Sequence, residues 1–111
     1  MKILKLLILI PILSITFCKK PNSQVPECIN ELIKNRTNVI CASGASVSQY
    51  LFQGDYVYVF DPGNCGADLM AVVYNSECSQ IGGLGGIAGN NIINGTQFNP
   101  NAKFIKTIWT E

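Results

Sequence analysis

Val47-Ser48-Gln49-Tyr50-Leu51-Phe52, Gln53-Gly54-Asp55 and Tyr56-Val57-Tyr58-Val59-Phe60 are two β-rich runs and the turn-forming triplet between them, and their reading decides the fold. Gly54-Asp55 reads as a two-residue hairpin loop. In the second run Tyr56, Tyr58 and Phe60 face one way and Val57 and Val59 the other, because strand side chains alternate. Both faces being apolar, this run is expected to be a central strand with a cover on each side. A third run, Leu69 to Tyr74, is continuously apolar and stops at Asn75-Ser76. A fourth, Lys103 to Thr110, alternates and carries the single tryptophan, Trp109, just after the chain-breaking Asn99-Pro100-Asn101.

One helix is expected before the sheet. Pro26 and Glu27 suit a first turn, Lys34 and Arg36 suit a carboxyl end, and Cys28, Ile29, Leu32 and Ile33 fall on one face. The expected class is therefore α+β, with one N-terminal helix packed on an antiparallel sheet of about four strands and stapled by disulfides. Residues 26–111 form this single small domain. Residues 18–25, with Lys, Pro, Asn, Ser and Gln, have the composition of a flexible tether.

Residues 1–17 read as a leader. Lys2 and Lys5 form a basic start, and the apolar Leu6 to Phe17 is too short to span a bilayer but suits a secretory signal. Ile15-Thr16-Phe17-Cys18 resembles a bacterial lipobox of the relaxed kind, with Phe17 where the strict pattern has a small residue. That resemblance implies cleavage before Cys18, lipidation of Cys18 and a membrane-anchored envelope protein. Lys19, following the lipidated residue in place of the Asp of inner-membrane retention, implies an outer-membrane destination. Without the leader, six basic residues face seven acidic ones, so no basic stripe is left to attract nucleic acid. The expected partners are the membrane, through the lipid on Cys18, and an envelope partner whose identity the sequence leaves open.

Setting Cys18 aside leaves Cys28, Cys41, Cys65 and Cys78, which in an oxidising compartment pair as disulfides in one of three connectivities. The separations Cys28 to Cys41 and Cys65 to Cys78 are both thirteen positions, and sequential pairing, closing two compact loops, is the favoured arrangement. A zinc site lacks its C-x2-C knuckles, and the chain has no histidine.

The segment Ile81 to Asn91 contains Gly82-Gly83-Leu84-Gly85-Gly86-Ile87-Ala88-Gly89. Gly83 to Ala88 matches the G-x-G-x-x-A dinucleotide fingerprint, but the βαβ unit that fingerprint needs is missing, so no cofactor is expected. Two readings stand: glycines for positive φ or close backbone approach to the aromatic residues of the sheet, or a binding loop presenting the amides of Gly83, Gly85 and Gly86. A second candidate surface is an aromatic patch of Tyr50, Phe52, Tyr56 and Tyr58.

Asp61-Pro62-Gly63-Asn64-Cys65-Gly66-Ala67-Asp68, followed by Tyr74-Asn75-Ser76-Glu77-Cys78, resembles part of a Kazal-type protease inhibitor, with four cysteines in place of six and altered spacings. It implies an alternative function: inhibition of a protease or lysozyme through a disulfide-braced loop over 61–68. A longer likeness is to small uncharacterised bacterial lipoproteins. It is carried by Cys28, Tyr56 to Phe60, Tyr74, Cys78, Gly85-Gly86-Ile87-Ala88-Gly89, Phe98 and Ile108-Trp109. It implies a shared fold and no particular activity.

Catalysis is not expected. The commonest general base and partner of Ser or Cys nucleophiles is absent with histidine. Asp55, Asp61, Asp68 and Glu77 sit at turns and loops where solvated acids are common. Asp61, Asn64 and Asp68 lack the spacing of a calcium loop, so no metal is expected. Asn35-Arg36-Thr37 and Asn94-Gly95-Thr96 match glycosylation sequons and are read as turn chemistry. The expectation is a noncatalytic binding or structural domain held at the cell envelope.

Overall fold

The computed structural model describes residues 24–35, 43–64 and 69–111. The leader, Cys18 and most of the tether lie outside these residues, as do Cys41, Cys65 and Asp68. The first element is α1 (Glu27–Lys34), preceded by Pro26 in extended conformation, whose carbonyl accepts the first helical hydrogen bonds from the N–H groups of Ile29 and Asn30. Glu27 in the first turn and Lys34 in the last complement the helix dipole. A helix of eight residues is unstable alone in water, so this one depends on what it packs against.

The sheet strands are β1 (Ser46–Phe52), β2 (Asp55–Asp61), β3 (Met70–Asn75), β4 (Gln80–Gly85) and, after three short elements, β7 (Lys103–Thr110). They form one five-stranded antiparallel sheet in the order β4-β3-β2-β1-β7. The expected sheet of about four strands thus gains β4, and the central placement of β2 matches the expectation. The intervening β5 (Ile92–Ile93) and β6 (Thr96–Gln97) pair with each other as a separate small hairpin, followed by the short turn α2 (Phe98–Asn101). The molecule is a small sheet-rich fold.

The β1–β2 turn is Gln53-Gly54, with φ of 52° and 80°, and Asp55 pairs with Phe52. The loop expected at Gly54-Asp55 is therefore displaced by one residue. Positive φ at both central positions is the type I′ arrangement whose twist matches the flanking strands. Asn94-Gly95, with φ of 50° and 74°, makes the same kind of turn between β5 and β6, in keeping with the turn reading of that sequon.

The sheet buries both faces. On one, Val47, Tyr58 and Phe60 cluster with Ile29 of α1, and Val25, Cys28, Leu32, Ile33, Tyr74 and Trp109 pack around them. Val25, assigned to the tether by composition, thus belongs to the folded domain. On the other face Phe52, Val57 and Val73 cluster with Ile93 and Phe98 from the β5–α2 segment. Phe98 is the hub of this second layer, its ring centroid 5.1 Å from that of Tyr50 and 5.2 Å from that of Phe52.

Candidate functional site

One disulfide is present among the described residues, and it joins Cys28 to Cys78. Sequential pairing of Cys28 with Cys41 and of Cys65 with Cys78 is thereby overturned. Two equal spacings say nothing about which loops the sheet brings together. In the fold, Cys28 in the first turn of α1 lies over the hairpin loop between β3 and β4, where Cys78 sits with φ of 62°. That loop is shaped by Asn75, whose Oδ1 accepts hydrogen bonds from the N–H groups of Glu77 and Ser79, both at 3.0 Å. Ser76 ties it to β2 by donating its hydroxyl to the Tyr56 carbonyl at 3.0 Å.

The aromatic candidates do not form one surface. Tyr58 and Phe52 are buried, Tyr50 and Tyr56 half-buried, and the four divide between opposite faces: Tyr50 and Phe52 on the β5–α2 side, Tyr56 and Tyr58 on the α1 side. Tyr58 accepts a hydrogen bond from Gln49 Nε2 at 3.2 Å, within the core. Burial pushes its hydroxyl up from the ordinary value, against the opposing pull of its hydrogen bonds with Gln49 and Ser76. These side chains build the interior.

The glycine segment divides into a strand and a turn. Gly82 and Gly83 lie in β4, where a Cβ would come within 2.6 Å of Ile93 Cδ1 and 2.7 Å of Met70 Cε respectively. The close neighbours of these glycines are thus the side-chain ends of Ile93 and Met70 in place of the expected aromatic residues. The pairing passes from Val73↔Gly82 to Tyr74↔Gln80, leaving Ile81 as the extra residue of a bulge. Gly85, Gly86 and Gly89 all have positive φ, at 82°, 75° and 61°, and form the turn around Ile87 and Ala88. The Gly85 amide donates to the Asn90 carbonyl at 2.8 Å, so it serves the turn itself. Sequence reasoning overlooked Asn90 and Asn91. Asn90 Nδ2 donates to the carbonyls of Gly83 and Ile92, and Asn91 exchanges hydrogen bonds with the Asn99 backbone, Nδ2 to the carbonyl at 2.9 Å and N–H to Oδ1 at 3.1 Å. An Asn pair after a glycine run is the signal for such backbone mimicry.

The antiparallel topology gives the sheet two distinct ends. The turn end gathers Gln53-Gly54, the 76–79 loop and Asn94-Gly95, linked by the hydrogen bond from Gln53 Nε2 to Thr96 Oγ1 at 2.9 Å. Here an open cavity of about 550 Å³ is lined by residues 24–27 together with Asp55, Tyr56 and Ser76. The far end gathers residues 43–45, the start of the 61–68 loop, Leu69, Met70 and the Gly86–Gly89 turn. At this end Ile87 is 91% exposed and Leu69 and Met70 are each 46% exposed. Asp61 and Asn64 are also exposed here, and Asp61 Oδ1 accepts the Gly63 N–H at 2.8 Å, an Asx turn. Among the described residues no group of His, Cys, Asp and Glu gathers as a metal site would require, and no helix is long and apolar enough to cross a membrane.

A family model described as Domain of unknown function (DUF6970) matches residues 42–111. The chain belongs to this family. The DUF6970 match takes in every strand of the sheet and the β5–α2 segment, and it begins after α1 and Cys28. No curated protein and no solved structure matches the chain.

Proposed function

We propose that this DUF6970 member is a lipid-anchored envelope protein, acylated at Cys18, whose sheet domain acts by binding a partner and not by catalysis. The observation that carries the reading is the Cys28–Cys78 disulfide. Disulfides persist in oxidising compartments, and export through a leader such as residues 1–17 delivers a chain to one. Bacterial origin and the outer-membrane destination rest on the lipobox resemblance and on Lys19.

In this reading the membrane lies toward the turn end, because Gln24, at the end of the proposed tether, stands there beside Tyr56 and Ser76. The far end then points away from the bilayer. Strands of six residues at about 3.3 Å each separate the two ends by roughly 20 Å. Contact with a partner falls to the exposed Ile87, Leu69 and Met70 and to the neighbouring 61–64 loop, replacing the aromatic patch, whose members are largely interior.

Metabolic labelling with a fatty acid tests the anchor. Wild-type protein should take up label and sediment with membranes, and Cys18→Ala should lose both properties. Equal labelling of the variant would overturn the lipoprotein reading. A second reading, inhibition of a protease or lysozyme, is favoured by the exposed 61–64 segment at the far end. Alanine substitution of Asp61 and Asn64 should then weaken a measured inhibition at least tenfold, and full inhibition by the variant rejects it.

A further inference from the structure

Asn94-Gly95-Thr96, read from the sequence as turn chemistry, also holds a reactive pair. Asn94 is the one asparagine of the chain that is followed by glycine. Attack of the Gly95 backbone nitrogen on the neighbouring side-chain carbon, Asn94 Cγ, closes a five-membered ring without a second molecule, and it is least obstructed where the attacking residue has no side chain. Both residues are exposed, and a Cβ placed on Gly95 would meet nothing within 4 Å, so the approach is open. The ladder bonds of a two-residue loop belong to the flanking pair, here Ile93 and Thr96, which leaves the Gly95 amide out of the pairing. Strands β5 and β6 are two residues each, so this turn opens locally at little cost.

Asparagines of the neighbouring loops are held more firmly. Asn75 Oδ1 accepts two backbone N–H groups at 3.0 Å, Asn91 is tied to the Asn99 backbone through both side-chain atoms, and Asn101 Nδ2 donates to the Gln97 carbonyl at 2.9 Å. Asn90 Nδ2 is shared between the carbonyls of Gly83 and Ile92. Asn99 precedes Pro100, whose nitrogen has no proton to give up. The Asn94 side chain, by contrast, is held through Nδ2 to Gln53 Oε1 at 3.5 Å, beyond the usual range of an N–H donor to oxygen.

We propose that Asn94 is a site of spontaneous deamidation, which converts the β5–β6 turn with time into aspartyl and isoaspartyl forms. The Gly95 nitrogen gives up its proton and bonds to Asn94 Cγ, the bond from Cγ to Nδ2 breaks, and ammonia leaves carrying that proton. Water then opens the cyclic imide at one of its two carbonyls. Opening at Cγ restores the backbone with an aspartate side chain, and opening at the backbone carbonyl routes the chain through Cγ as isoaspartate. Either product removes the Nδ2 donor to Gln53, and the aspartyl form leaves a carboxylate facing Gln53 Oε1. The isoaspartyl form also adds a backbone carbon to a loop whose pairing has room for two residues. The tie between the Gln53-Gly54 and Asn94-Gly95 turns is then left to the Gln53 Nε2 to Thr96 Oγ1 hydrogen bond.

Peptide mapping over time tests the site. Full-length protein is kept folded in mildly alkaline buffer, sampled, reduced and alkylated, and cut with trypsin and an Asp-specific protease. The unaltered chain yields fragment 68–103. The aspartyl form gains a cut before position 94 and yields 68–93 and 94–103, whereas the isoaspartyl form is passed over by the protease and leaves 68–103 whole, heavier by the exchange of NH for O. Both products should accumulate in the wild type, and Asn94→Ser should give neither the new cut nor the heavier fragment. A wild-type fragment 68–103 that stays whole and unchanged in mass, or fragmentation that places the first change at Asn75, Asn90 or Asn101, would overturn the proposal.

Discussion

The two faces of the sheet are covered by different means. On one side the cover is α1, a short helix that contributes a single fully buried side chain, Ile29, and is linked to the sheet by a disulfide bridging 50 positions. On the other side the cover is the β5–α2 segment, which follows β4 and leads into β7, so its ends are held by the sheet itself. It buries Ile93 and Phe98 and is knitted in place by Asn90, Asn91, Asn101 and Gln53. A cover whose two ends both run into strands of the sheet is held at each end and needs no covalent tie, whereas a terminal helix too short to stand alone must be secured from outside. The matched range 42–111 agrees with this division, containing the inserted cover whole and none of the terminal one.

Substitutions that attack one cover at a time sharpen the contrast. The largest effect is expected from Phe98→Ala, which empties the hub beside Tyr50 and Phe52. A loss of about 3–5 kcal/mol in urea unfolding follows from the cavity it leaves, with hydrogen-exchange protection falling across the whole sheet. Cys28→Ser/Cys78→Ser should cost about 2–4 kcal/mol through the freed unfolded chain, but exchange should quicken first in α1 while β1 to β4 stay protected. If the sheet amides lose protection in step with the helix, the two covers are not independent. Next is Gly82→Val, expected to cost about 1–3 kcal/mol by overpacking against the buried Ile93. Gly83→Val should cost less than about 1 kcal/mol, since Met70, half-exposed, has solvent to move into.

The smallest effect belongs to Tyr58 and appears only in alkali. Its folded hydroxyl titrates above the ordinary value of 10.0, chiefly through burial. The unfolded chain therefore gives up this proton first. The stability contributed by the neutral phenol is complete below pH 10 and is lost as pH rises through the folded value. Thermal unfolding followed from pH 9 to pH 12 should fall more steeply for wild type than for Tyr58→Phe, and parallel curves would remove Tyr58 as a source of the slope.

Periodicity explains what was legible in the chain. The helical spacing of Cys28, Ile29, Leu32 and Ile33 and the two-residue alternation of 56–60 translate directly into α1 and a central β2, and β7 matches its expected bounds. Strand β4 escaped because Gly82, Gly83 and Gly85 carry no side chains from which a period could be read, and a bulge at Ile81 breaks what pattern remains. The inserted cover escaped because β5 and β6 have two residues each, too few for alternation to show. The aromatic patch failed on parity. Phe52 pairs with Asp55 and Leu51 with Tyr56, so the even-numbered aromatics of β1 and those of β2 must face opposite ways. Disulfide pairing was illegible because it depends on where the loops meet in space.

The Cys28–Cys78 crosslink also decides how the molecule answers a pull. Tension arriving from the N-terminus reaches Cys28 and crosses the S–S bond into Cys78, at the loop between β3 and β4. Everything in sequence between them, β1, β2 and β3 included, is short-circuited and carries no direct load. A pull between the N-terminus and Ile87, which follows Cys78 in sequence, would thus pass through a covalent bond and the β4 edge of the sheet, sparing the central strands that hold its shape.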